Sequence, residues 1–182
     1  MVKRAENHVR EQIRSHFELT FGERVTRAME MDHQQIIPYH HFAAVSMECV
    51  YLYQDGYFTA TIMVTQALNE GLVRFIEDRN GITEKIERPI AVKQLRERGL
   101  LSAEAAGAST RIMRSFRNDF HHMNPSVFHV PVREIAKRNI EDICAIENEI
   151  FACDFDNGKI RPRHRQYWNV SADGTMTISL RP

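Results

Sequence analysis

Apolar residues recur along most of this chain at spacings of three and four, the period of helices packed on one side. From Lys3 to Leu19 the pattern predicts a first amphipathic helix, followed by a polar, methionine-containing connection that ends at Pro38. A second helix is expected near Tyr39 to Tyr53, closed by the turn pair Asp55-Gly56. The third, from Tyr57 to about Asp78, sets Val64, Leu68, Leu72 and Phe75 at intervals of four, four and three, with Phe58, Ile62 and Ile76 widening the apolar surface. That reads as a central, largely buried helix. A shorter helix is expected over Glu84 to Arg98, and Ser102 is placed to cap the next one, Ala103 to about Phe120. A last long helix starts with Pro131 in its first turn and repeats Val132, Ala136, Ile140, Ile143, Ile146 and Ile150 at helical spacing. Five or six such helices make an all-α bundle.

The tail has another period. Residues 158–182 carry a basic run and then two short segments rich in strand formers, so they read as an appendage to a helical unit over 1–157. A three-residue loop Ala172-Asp173-Gly174, with Gly174 in the left-handed position, sets Trp168, Val170, Met176 and Ile178 on one face, which predicts a short C-terminal β-hairpin packed on the bundle. Arg161, Arg163 and Arg165 beside Tyr167 can be read in two ways: as an RNA contact, since cations next to aromatic faces suit phosphates and bases, or as a solvated linker.

Composition narrows the partners. With 182 residues, 43% of them apolar, one domain with a real core is expected. Lysine plus arginine and aspartate plus glutamate both count 24, so no general basic field draws nucleic acid, and any polyanion must be met by a local cluster. Cys49, Cys144 and Cys153 are odd in number and widely spaced, which fits packing residues in a reducing compartment better than a disulfide framework. The first residues lack the apolar centre of a signal peptide, and the longest apolar stretch, Phe42 to Tyr53, holds Glu48 and is too short to span a bilayer. A soluble, cytoplasmic protein with no membrane partner is expected.

One stretch carries chemistry. Arg117 to Pro125 reads RNDFHHMNP. On a continuous helix Met113, Phe116 and Phe120 form a core stripe, while Arg114, Arg117 and His121 follow on the other side with Asn118 and Asp119 flanking them. Asn124-Pro125 then ends the helix, because proline disfavours the helical conformation of the residue before it. A solvated last turn has the same composition, since histidines interact well with a helix C-terminus. Glu70, inside the apolar third helix, is either an exposed glutamate or a carboxylate that holds Arg117 in place. His40-His41 and Glu30-x-x-His33 do not build a metal site: adjacent helical histidines diverge, and the paired Glu-x-x-His motifs of di-iron bundles are missing. Neither metal nor cofactor is expected.

The run Arg117-Asn118-Asp119-Phe120-His121-His122 resembles the arginine-polar-xxx-histidine signature of HEPN domains, small helical bundles many of which are ribonucleases of toxin–antitoxin, abortive-infection and CRISPR systems. The context is similar too: about five helices, the motif late in the chain at a helix end, and a long helix after it, over roughly 39–155. The resemblance implies Arg117 as the family's arginine, Asn118 as its polar residue and His122 as its histidine, with RNA as substrate and a two-fold homodimer in which two motifs make one composite active site. A cognate antitoxin is a possible partner. Helix geometry disagrees with the family spacing, for an uninterrupted helix places His121 about 40° and His122 about 140° from Arg117, at ~100° per residue. The spacing therefore implies a distorted turn before Pro125 or a site assembled from two chains, with His121 a nearby second to His122.

The residue types suit metal-independent RNA cleavage. The 2′-hydroxyl must lose a proton and attack the adjacent phosphate, which needs a proton acceptor, a donor for the leaving 5′-oxygen and positive charge on the phosphoryl oxygens. Histidine serves as acid or base near neutrality, and arginine offers a permanent planar fork to phosphate. Asn118 is placed to orient the phosphate or the histidine, and Asp119 to fix a histidine tautomer. The other reading is a noncatalytic bundle of the same type that binds nucleotide, RNA or a protein.

Overall fold

The computed structural model describes residues 2–32, 36–84, 86–122 and 124–180, with the backbone alone for 2–4, 117, 121 and 128. The chain runs through α1 (Val2–Met29), β1 (Ile36–Ile37), α2 (His40–Gln54), α3 (Phe58–Arg79), α4 (Arg88–Glu97), α5 (Ala103–Met113), α6 (Arg117–His121) and α7 (Val132–Ile150). Three short strands follow: β2 (Cys153–Asp156), β3 (Lys159–Pro162) and β4 (Ser179–Leu180). The molecule is a helical bundle with a short C-terminal β-hairpin, as the periodicities require.

The core is the meeting of the expected stripes. Leu68, Leu72 and Ile76 of α3 face Ala105, Ala108 and Ile112 of α5 and Ile140, Ile143 and Ile146 of α7, all buried. The small residues on α5 let its backbone approach α3 and α7 closely. At one end the rings of Phe42, Phe75 and Phe151 meet edge-on or tilted, with centroids 5.3–6.0 Å apart. Ser102 caps α5 as expected, its hydroxyl accepting from the Ala105 amide. Helix α4 starts at Arg88, four residues later than expected, because Pro89 sits in its first turn, where a missing N–H costs nothing.

Helix α1 corrects a boundary. Its periodicity was expected to end at Leu19, yet it continues for another ten residues to Met29. No proline interrupts it, and its last two turns are anchored. The Arg27 guanidinium is buried, with Nε donating to the Gln54 carbonyl at 2.7 Å and Nη1 to Glu23 at 3.0 Å, and Arg24 reaches Asp55 at 2.6 Å. Gly56, at φ +85°, turns the chain between α2 and α3 directly under that guanidinium, 3.6 Å from where a Cβ would stand. Just beyond α1, Glu30 accepts from the Tyr53 hydroxyl at 2.7 Å and from Arg133 at 3.0 Å, tying α1 to α2 and α7.

The tail is more elaborate than the expected single hairpin. Asn157 and Gly158, at φ +51° and +74°, make the two-residue turn that joins β2 to β3, so part of the basic run is strand. The Ala172-Gly174 turn is present, with Gly174 at φ +84° and a bridge between Val170 and Met176. Beyond it the chain leaves that ladder, and β4 pairs antiparallel with β1, Ile36 opposite Leu180. Trp168 is buried and Val170 and Met176 pack against the core, whereas Ile178 is exposed because the partner strand has changed. Cys49 and Cys144 are buried and Cys153 is half-buried, its thiol pushed up by burial and by Asp154. No helix among the described residues is long and apolar enough to cross a membrane.

Two outcomes follow from these contacts. Trp168→Ala should destabilise the fold by about 3–5 kcal/mol in chemical denaturation, as expected for emptying a buried indole site. For Glu30, hydrogen bonding from Tyr53 and the nearby Lys137 and Arg133 hold the carboxyl below its ordinary value, against a smaller opposing effect of burial. A depressed folded value means stability that is complete above the unfolded pKa and lost as pH falls through the folded one. Glu30→Gln should therefore flatten the acid limb of the denaturation midpoint below about pH 4.5 without steepening it at neutrality.

Candidate active site at a broken helix

The helix expected over 103–120 is two helices. Helix α5 stops at Met113, and Phe116 adopts a left-handed conformation, φ +60° and ψ +31°, before α6 begins. The cause lies in the core. The Ser115 hydroxyl donates to the Ile112 carbonyl at 2.5 Å and accepts from Gln66 Nε2 of α3 at 2.8 Å and Asn139 Nδ2 of α7 at 3.0 Å. Gln66 Nε2 also donates to the Ser115 carbonyl at 3.0 Å, taking an acceptor that a continuing α5 would have used. Two buried amides from different helices thus hold Ser115 inward, and the chain must turn. Asn139 continues the network to Thr65 at 3.1 Å.

Two expectations fail for this reason. Phe116 leaves the Met113–Phe120 stripe and is 42% exposed, while Phe120 stays buried. Arg114 caps the end of α5 and no longer shares a helical face with Arg117 and His121. The motif instead occupies α6, where Phe120 N–H bonds Phe116 O at 3.0 Å and His122 N–H bonds Asn118 O at 2.9 Å. The backbone is helical from Arg117 through that last bond, so the 40° and 140° relations from Arg117 to His121 and His122 persist, and the distortion precedes Arg117.

The other motif residues have identifiable surroundings. Asn118 and His122 are exposed. Asp119 accepts from Asn124 Nδ2 at 2.9 Å and lies 3.5 Å from the Ser126 hydroxyl, so it fastens the turn that follows the motif, into a 3₁₀ segment over Pro125–His129. The side chains of Arg117 and His121 lie outside the described residues, and with them one of the two readings of Glu70, its pairing with Arg117. Glu70 accepts from Arg74 at 2.5 Å and is 3.8 Å from Arg88, whose own firm partner is Glu77 at 2.7 Å. Beside the break, a cavity of about 180 Å³ is lined by Gln66, Asn69, Glu70, Val73, Arg88 and Met113. Asn69 Nδ2 donates to the Ser109 carbonyl, and its Oδ1 is buried with no partner among the described residues.

The tail arginines are brought elsewhere. Arg161 pairs with Asp156 at 2.6 Å and Arg163 takes Asp154 through two nitrogens, so two carboxylates of β2 neutralise these two arginines. Tyr167 is buried against Phe75 and bonded by Asn80, so the ring expected to flank these arginines is not open to a base; Arg165 is exposed. Among the described residues no three of His, Cys, Asp and Glu are grouped to hold a metal ion, and His33 lies outside them. Compared with known proteins, the chain matches no family model, no curated protein and no solved structure.

Ser115, Gln66 and Asn139 escaped the sequence reading. The available signal was two amides on the apolar faces of α3 and α7, each needing a polar partner.

The break can be tested at Phe116. In an uninterrupted helix glycine is worse than alanine by up to about 1 kcal/mol, whereas at a left-handed position it is better by about 1–2 kcal/mol. Phe116→Gly should therefore be the more stable of the pair Phe116→Gly and Phe116→Ala by urea denaturation. Asn139→Ala, which strips donors from Thr65 and Ser115, should cost about 1–3 kcal/mol.

Proposed function

We propose that the chain is a metal-independent endoribonuclease of the HEPN type, acting as a homodimer on RNA in a toxin or defence role. One observation carries the reading: the Arg-Asn-xxx-His run stands on its own five-residue helix, cut from α5 by a buried clamp, with Asn118 and His122 at the surface. A simple helix end would need neither the clamp nor the left-handed residue ahead of the motif. Because the α6 backbone is helical from Arg117 to His121, positions 117 and 122 lie about 140° apart around its axis, at ~100° per residue, which supports a site completed by the motif of a second copy.

In that site a histidine removes the 2′-hydroxyl proton, the 2′-oxygen attacks phosphorus, and the 5′-oxygen leaves with a proton from the other histidine. Arg117 neutralises the charge that builds on the phosphoryl oxygens. Asp119, already engaged with Asn124, acts by holding the end of α6 in place. Arg114, exposed on the other side of the break, is a further cation for the RNA strand. Glu70 and Arg88 border the cavity beside the motif.

The purified protein should cleave single-stranded RNA in EDTA, leave DNA intact and yield a 2′,3′-cyclic phosphate on the upstream fragment. Arg117→Ala and His122→Ala should each lose about 10²-fold or more in rate with the fold preserved. His121→Ala should cost less. Cleavage abolished by EDTA, or unchanged in the folded Arg117→Ala/His122→Ala double variant, would leave the noncatalytic RNA- or protein-binding bundle as the better reading.

A further inference from the structure

The cavity of about 180 Å³ beside the helix break lies between the middle of α3, the start of α4 and the end of α5. Its lining is graded. Gln66, Asn69 and Val73, from one face of α3, are buried and form the floor; Glu70, Arg88 and Met113 are half-buried, and Pro89 at the mouth is exposed. The volume is several times the ~30 Å³ that one water occupies and below the ~300–1,000 Å³ of pockets for drug-sized ligands, so it suits a single ring system.

The floor carries an unmet demand. Asn69 is 1% exposed; its Nδ2 donates to the Ser109 carbonyl at 3.3 Å, while its Oδ1 has no partner among the described residues. A buried acceptor left unpaired costs free energy, so a donor brought from outside the fold is favoured there. Next along α3, Glu70 lines the same cavity with a carboxylate, which accepts about four hydrogen bonds and is not filled by Arg74 at 2.5 Å. Around the mouth the charges are matched, Glu70 with Arg74 and Arg88 with Glu77, so the ligand called for is neutral.

We propose that this cavity is the pocket for one base of the RNA, and that the base is guanine. The choice of a nucleobase rests on the RNA reading of the neighbouring motif. Cavity and motif adjoin through Gln66, which holds Ser115 two residues ahead of Arg117, and through Met113 at the end of α5. Guanine is singled out by its edge. Its N1–H and 2-amino group are two donors side by side, and the cavity offers two acceptors, Asn69 Oδ1 and the Glu70 carboxylate. Adenine and cytosine put an acceptor next to their amino group, and uracil has one N–H between two carbonyls, so each would set an acceptor against an acceptor. Reading the Watson–Crick edge of an unstacked base while side chains pack its ring is the common way to recognise single-stranded RNA. Val73 and Met113 give the ring apolar surface, and Arg88, held by Glu77 at 2.7 Å, supplies a guanidinium of the kind on which bases stack.

The test measures binding apart from cleavage. Guanosine at millimolar concentration should bind the full chain in ligand-observed NMR ahead of adenosine, cytidine and uridine. Inosine, which lacks only the 2-amino group, should bind about tenfold more weakly. Glu70→Gln, which keeps the shape of the side chain, should weaken guanosine about tenfold as well, and Met113→Trp, which fills the cavity, should abolish its binding, each with the wild-type circular dichroism retained. In products of RNA cleavage, guanine should stand at one fixed position from the scissile bond, a preference that Met113→Trp removes. Guanosine binding without cleavage would keep the pocket and sink the ribonuclease reading; cleavage without guanosine binding would do the reverse. No preference among the four nucleosides, guanosine binding unchanged in both folded variants, or a cavity that takes up water alone would overturn the proposal.

Discussion

The position of Ser115 governs much of this molecule. Its hydroxyl and carbonyl are the meeting point of Gln66 from α3 and Asn139 from α7, deep between three helices. Buried amides are expensive unless their hydrogen bonds are made, so the packing of α3 on α7 and the path of the chain after α5 are solved together. Had α5 continued, the Ser115 carbonyl would have been used within the helix and Gln66 Nε2 would have lost one of its acceptors. Ending the helix satisfies the amide at the expense of one residue, Phe116, in an unfavourable backbone region. The exchange favours the break because two buried amides outweigh one strained residue.

Helix α3 is the spine that distributes such contacts. Thr65, Gln66 and Asn69 address α5 and α7, Glu70 and Glu77 reach toward Arg88 at the start of α4, and Asn80 bonds Tyr167 of the tail. A purely apolar α3 would pack equally well in several rotations and shifts. Its polar groups each have one geometry in which they are satisfied, which selects a single register among the helices.

What could be read in the sequence follows from the nature of these forces. The helices of the core were legible because burial imposes a period on every residue of the stripe, as with Leu68, Leu72 and Ile76 or Ile140, Ile143 and Ile146. The cap at Ser102 and the turn at Gly174 were legible because their chemistry is local. The end of α1 was not, since Arg24 and Arg27 are held by groups from the α2–α3 turn, nearly thirty residues away. Nor was the break before Arg117: Met113, Phe116 and Phe120 keep helical spacing, and the amides that override it come from residues 49 and 24 positions away. The same reason hid the pairing of β1 with β4, two two-residue segments at distant points of the chain. The motif residues themselves could be named from type and spacing, but their arrangement depended on contacts that no local pattern records.

A helix of five residues has no stability of its own, because nucleating a turn costs more than one or two hydrogen bonds return. The orientation of α6 is therefore inherited from its two ends. At the near end Ser115 is clamped by α3 and α7; toward the far end Phe120 is buried and Asp119 is joined to Asn124 and Ser126. The segment between these anchors carries Asn118 and His122 at the surface, so the geometry of the proposed site is set by groups that lie beneath it. A rigid presentation of this kind is what a site for charge stabilisation needs, since donors that must reorganise during the reaction lose most of their effect. It also means that Gln66, Ser115 and Asn139, buried and chemically inert, belong to the proposed site as much as the residues that face solvent.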